Sequence, residues 1–141
     1  AGICYPRFRR PEAVRLLLDT HVLLWAAANS ARLPRETRNL LEDDNNDVYY
    51  SAASIWEIAI KSSLRRKDFR VDLIQLMGTL PEMDFIELPI TAAHAARVAE
   101  LPFIHRDPFD RLLIAQSIVE PLTLLTNDAF LDRYRVGARV V

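Results

Sequence analysis

Glycine is scarce in this chain: Gly2, Gly78 and Gly137 are the only three in 141 residues, and none lies near another. A Walker loop or a dinucleotide fingerprint needs grouped glycines after a strand, so both phosphate cradles are excluded. Any handling of phosphate must rely on side chains or metal ions. Cysteine is scarcer still. The single Cys4 can form neither an internal disulfide nor part of a thiolate metal site. Long apolar runs are missing too: the longest, residues 22–28, is seven residues, against the roughly 20 that a membrane helix needs. No charged n-region followed by an apolar h-region opens the sequence, which predicts a soluble, cytoplasmic protein with no membrane partner. Lysine occurs only at 61 and 67, so arginine supplies 16 of the 18 basic residues. Arginine suits bidentate phosphate contacts, but the net charge of −1 excludes a generic polyanion binder. There is no nucleophile elbow and no plausible Ser-His-Asp grouping.

What is present is an ordinary globular composition, half apolar and 26% charged, in a length that predicts one domain. Residues 1–13 (AGICYPRFRRPEA) lack a period and carry Pro6, Pro11, Arg7, Arg9 and Arg10. They read as an extension before the domain, a loosely packed tail in preference to a basic arm for RNA. From 14 to 141 the pattern is regular. Residues 14–18 form a short apolar run suited to a buried strand, ending in Asp19-Thr20, and 21–29 read as a buried helix. Residues 34–43 read as an amphipathic helix broken by Asn45-Asn46, and 47–51 as a second strand rich in β-formers. A second long helix is predicted over 52–66, then another over 71–80, stopped by Pro81. A strand over 85–88, an Ala-rich helix over 91–101 capped by Thr91, a buried helix after Asp107, a strand over 121–128 and a last edge strand over 139–141 complete the chain. Alternation of strand and helix predicts an α/β fold. Its form is a three-layer α/β/α sandwich around a parallel sheet of four to five strands.

The helix opening at Asp107-Pro108 has the most definite start: a capping side chain, then a proline already at helical φ. Asp110 falls in its first turn, where the macrodipole favours negative charge. In open parallel sheets ligands bind beyond the carboxyl ends of the strands. Asp19 closes the first strand, Asp128 closes the strand after this helix, Glu57 lies a turn into the helix after the second strand, and Asp110 opens the helix feeding Asp128. All four are expected at one edge. Four converging carboxylates repel one another, and hard divalent cations such as Mg²⁺ or Mn²⁺ are the usual compensation. Such ions acidify water and stabilise charge developing on a phosphodiester. Plainer readings stand beside this one: Asp19 and Asp128 as helix caps, Glu57 as an i,i+4 partner of Lys61, Asp107 as a cap alone, and His21 and His105 as structural.

The stretches LLLDTHVLLW (16–25), SAASIWEIAIK (51–61), HRDPFDRLLIAQS (105–117) and LLTNDAFL (124–131) resemble, in order and spacing, the PIN domain, specifically VapC-type toxins of bacterial toxin–antitoxin pairs. The resemblance covers about residues 14–141. It implies a metal-dependent endoribonuclease that cuts single-stranded or loop RNA, with Mg²⁺ or Mn²⁺ as cofactor. The acidic quartet would be Asp19, Glu57, Asp110 and Asp128, with Asp107 as an accessory acid and Thr126 as a supporting hydroxyl. It also implies a homodimer and a cognate antitoxin whose tail enters the groove. Arg106 and Arg111 beside the acids, extended by Arg65, Arg66 and Arg70, are the candidate RNA grips. The extension departs from the pattern, because such toxins begin almost at the first strand. The competing expectation is a non-catalytic α/β module that binds RNA or protein. A phosphoacceptor receiver is disfavoured, since no lysine follows Lys67 and the strand over 85–88 ends in Leu-Pro.

Overall fold

The computed structural model describes residues 13–64, 70–104, 106–128 and 138–141. Residues 1–12, the basic residues Arg65, Arg66 and Lys67, and His105 lie outside the described residues. Strand β1 (Arg15–Leu18) is the middle of the sheet, and its three leucines are at most 1% exposed. Successive strand side chains point to opposite faces. Leu16 and Leu18 therefore enter one core cluster with Val22, Val48, Ile58 and Leu80. Leu17 enters another with Leu113, Ile114 and Leu124. An unbroken apolar strand is what a sheet covered on both faces demands. The other strands are β2 (Asp47–Ser51), β3 (Ile86–Leu88), β4 (Thr123–Thr126) and β5 (Ala138–Val140). All pair in parallel, in the order β3-β2-β1-β4-β5.

The first cluster is filled from α1 (Thr20–Ala27), α2 (Arg35–Glu42), α3 (Ala52–Ser63) and α4 (Leu73–Glu82). The second is filled mainly from α6 (Pro108–Val119), beside which lies α5 (Ala92–Arg97). The three-layer sandwich expected from the sequence is the fold. Among the described residues no helix is long and apolar enough to cross a membrane.

Several boundaries shift by a residue or two, and two helices differ in ways with a physical cause. Helix α4 starts at Leu73 under the Asp72 cap (Gln75 N–H to Oδ1, 3.1 Å) and runs through Pro81 to Glu82. A proline loses its own N–H and crowds the carbonyl four residues back, but Pro81 stands in the last turn, where the Met83 N–H still closes on the Thr79 and Leu80 carbonyls. The Ala-rich helix is shorter than 91–101: α5 ends at Arg97 and tightens into a 3₁₀ turn over Val98–Glu100. Thr91 does cap it, and His94 completes the capping box. The His94 Nδ1 accepts the Thr91 N–H at 3.0 Å, which leaves the ring proton on Nε2, 2.9 Å from Glu120 Oε1.

Candidate active site

The chain lays β2 and β3 on one side of β1, then returns to lay β4 and β5 on the other. The sheet therefore has its switch point between β1 and β4, where α/β sheets open a crevice at the carboxyl edge. Leu18 pairs with Leu125, and the Asp19 N–H donates to the Leu125 carbonyl at 2.9 Å. This register puts the residue after β1 against the residues after β4, though more than a hundred positions separate them in sequence.

Asp19 is 3% exposed and uses both carboxylate oxygens. Its Oδ1 accepts the Val22 N–H at 2.8 Å, capping α1. Its Oδ2 accepts the Thr126 hydroxyl at 2.6 Å and the Asn127 N–H at 3.2 Å. Thr126 Oγ1 in turn accepts the Asp128 N–H at 3.0 Å, so one hydroxyl fixes two acids. Burial raises the Asp19 pKa, and these three hydrogen bonds and the charge of His21 pull it partly back. Replacing Thr126 with valine keeps the shape but removes the donor to Asp19 and the acceptor for Asp128. Leaving a buried carboxylate oxygen short of a partner is expected to cost about 1–3 kcal/mol. Urea unfolding that shows no loss would remove Thr126 from this supporting role.

The Ser51 side chain caps α3 by accepting the Ala53 N–H, and it also donates to Gln116 Oε1 on α6 at 2.6 Å. One turn along α3, Glu57 is 5% exposed. Its Oε1 accepts the Thr20 hydroxyl at 2.6 Å, and its Oε2 pairs with Lys61 Nζ at 2.7 Å. The plain i,i+4 pair thus exists, but around a buried carboxylate facing the crevice. Thr20 and Asn127 are not among the site residues expected from the sequence, and Lys61 is expected there only as the plain pair's cation. The available signals were Thr20 directly after Asp19, and Lys61 as one of two lysines placed one turn from a buried acid.

On α6, Asp107 is the N-cap: its Oδ1 accepts the Phe109 N–H at 2.8 Å and the Asp110 N–H at 3.4 Å. That cap frees Asp110 from capping duty, and Phe109 meets Trp56 edge-on at 5.1 Å beside it. Arg111 does not sit where its sequence neighbours suggested. It is buried, with its guanidinium donating to the Val98 and Pro102 carbonyls at 3.1 and 3.0 Å and lying over the Phe103 ring. One residue along a helix is a rotation of about 100°, which turns Arg111 from the acids toward the loop before α6. It is a strut for that loop and is withdrawn as an RNA grip. Arg106 and Arg70 are exposed; Arg65 and Arg66 are among the residues not described.

Asp19, Glu57, Asp107, Asp110 and Asp128 line one cavity of about 310 Å³, together with Thr20, His21, Lys61 and Asn127. Among the described lining residues, five carboxylates and Lys61 make a donor set of hard oxygens of the kind that suits a hard dication. Asp19 Oδ1 and both oxygens of Glu57 accept one bond each and keep a second lone-pair position. Among the described residues no three acids or histidines form a ready metal cage. A hydrated Mg²⁺ does not need one, since it keeps several waters and binds through one or two carboxylates. The residues present fit a small, hard dication.

The PIN domain family model matches residues 16–137, and the chain belongs to that family. Among its relatives, Ribonuclease VapC22 of Mycobacterium tuberculosis (strain ATCC 25618 / H37Rv) is 29% identical over 121 residues, which is 85% of this chain and 92% of that protein. The fold is similar to VapBC2 from Rickettsia felis, solved bound to a DNA fragment from their promoter. There the TM-score is 0.66 at 19% identity, covering 90% of this chain and 98% of that chain. It is also similar to VapBC-1 from nontypeable Haemophilus influenzae, with a TM-score of 0.64 at 12% identity and the same coverage.

Proposed function

We propose that the chain is a cytoplasmic endoribonuclease toxin of the VapC type that hydrolyses single-stranded or loop RNA and is neutralised by a cognate antitoxin. The observation that carries this reading is the convergence of five carboxylates with Lys61 in one cavity at the sheet's switch point. The name of the mycobacterial relative and the toxin–antitoxin complexes among the similar structures support it. Asp19, Asp110 and Asp128 would hold Mg²⁺ or Mn²⁺, and Glu57 would be a further ligand or orient the attacking water. The dication supplies positive charge to the phosphate and acidifies a water. The protein's own part is positional. Asp107 and Thr126 aim their neighbours, while Lys61 and Thr20 hold Glu57 in one rotamer. Arg106, with Arg65, Arg66 and Arg70, would follow the RNA backbone, and a homodimer would bring two such clefts together.

The test is incubation of the purified chain with a mixed pool of small RNAs, with Mg²⁺, with Mn²⁺ and with EDTA. Metal-dependent cuts leaving 5′-phosphate and 3′-hydroxyl ends are expected. Retention of RNA on a filter with no cut under either metal would overturn the nuclease in favour of a binding module.

A further inference from the structure

Two of the acids that line the cleft stand on helices far apart in sequence, Glu57 on α3 and Asp110 on α6. Near neighbours can aim each side chain, but the span between the two depends on how α3 packs against α6. Two side-chain contacts bear on that packing. Trp56 meets Phe109 edge-on at 5.1 Å, and the Ser51 hydroxyl donates to Gln116 Oε1 at 2.6 Å. As α3 advances from Ser51 to Trp56, its contact on α6 moves back from Gln116 to Phe109, so the helices meet in opposite senses. Glu57 and Asp110 each adjoin the aromatic contact in sequence. Each also lies six positions from its helix's end of the polar contact, a rise of about 9 Å.

The two contacts differ in precision. Ring pairs are favourable over a broad range of separations and tilts, so the aromatic contact holds the helices together without fixing their spacing. A hydrogen bond weakens steeply outside a narrow range of distance and angle, and Ser51 and Gln116 are both fully buried. Ser51 Oγ already accepts the Ala53 N–H that caps α3, which leaves its own proton for Gln116. Gln116 is oriented from behind. Its Nε2 lies 3.4 Å from the Pro89 carbonyl, which can only accept. It lies equally far from His94 Nδ1, whose lone pair takes the Thr91 N–H. The amide oxygen therefore faces Ser51. We propose that Gln116 is a positioning residue for the acidic cleft: through Ser51 it sets the distance of α3 from α6, and with it the span between Glu57 and Asp110. This role rests on the metal-dependent reading of the cleft given above. A buried amide six residues from the nearest cleft acid on its own helix then governs how well the carboxylates receive a dication.

The test is Mn²⁺ binding to the full chain, read from the paramagnetic resonance of the free ion, alongside thermal unfolding. Gln116→Met nearly keeps the volume and removes the amide. Ser51→Gly breaks the same bond from the other helix, and glycine is a tolerated N-cap. Each is expected to weaken Mn²⁺ binding by about tenfold or more, as loss of a group that supports metal ligands commonly does. The double variant should bind no more weakly than either single one, because the same bond is lost in all three. Asn46→Ala removes hydrogen bonds to Val14 and Leu40 at the opposite end of β2. It should lower the melting temperature and leave Mn²⁺ affinity unchanged. Parent-like affinity in Gln116→Met and Ser51→Gly would overturn the proposal. So would an equal loss in Asn46→Ala, since the effect would then be general loosening. A parent chain that binds no Mn²⁺ would overturn the metal reading itself, and this positioning role with it.

Discussion

Replacing Asp110 with asparagine is expected to lower RNA cleavage by about a thousandfold while leaving the protein folded. Asp110 lines the cleft but does not cap its helix, because Asp107 does. Asparagine is nearly isosteric, retains one oxygen and removes the charge that would help hold the dication. Loss of several kcal/mol of electrostatic stabilisation, at 1.36 kcal/mol per decade, gives that magnitude. The control is circular dichroism together with thermal unfolding. Cleavage within tenfold of the parent, at saturating Mn²⁺ and with melting unchanged, would remove Asp110 from the machinery.

The second large effect concerns pH and metal together. Burial raises the Asp19 pKa in the folded chain, so the folded state holds that proton more tightly than the unfolded state. The associated stability is full below the ordinary aspartate value of about 3.9. It is lost as pH climbs from there through the raised folded value. A divalent cation offsets that loss by stabilising the ionised carboxylate, and it competes with protons for the same oxygens. The melting temperature should therefore rise on adding Mg²⁺ or Mn²⁺, by more at pH 7.5 than at pH 5. Metal at 100 times its dissociation constant contributes about 2.7 kcal/mol. Asp19→Asn should shrink this pH-dependent gain. A gain that is the same at both pH values would disprove the linkage to a buried acid.

Much of the fold was legible because its local signals agreed with one another. The second strand occupies the expected residues 47–51. Asp107-Pro108 starts its helix as the capping chemistry dictates, and three consecutive leucines in β1 announced a sheet covered on both faces. Asp19, Asp110 and Asp128 could be placed because each stands at or beside the end of an element, and parallel strands bring those ends to one edge, with Glu57 one turn into its helix. What stayed hidden depends on rotation and on distant partners. Arg111 follows Asp110 in sequence yet faces the loop carbonyls of Val98 and Pro102. The Glu57–Lys61 pair was legible within one helix, but Thr20 could be seen to close on Glu57 only once α1 and α3 were packed side by side. His94 carries no sequence signal of its own, because its partner Glu120 lies 26 residues away.

The anchoring of Asp19 has a consequence for the order in which the protein is made. Its partners are Thr126, the last residue of β4, and Asn127 just after it, and Asp128 follows them. A chain still on the ribosome thus holds Asp19, Glu57 and Asp110 for some time without the strand that orients the first and supplies the fourth. The cleft is finished only after residue 128 has been made, so a product that stops short of β4 carries most of the acids and no assembled site.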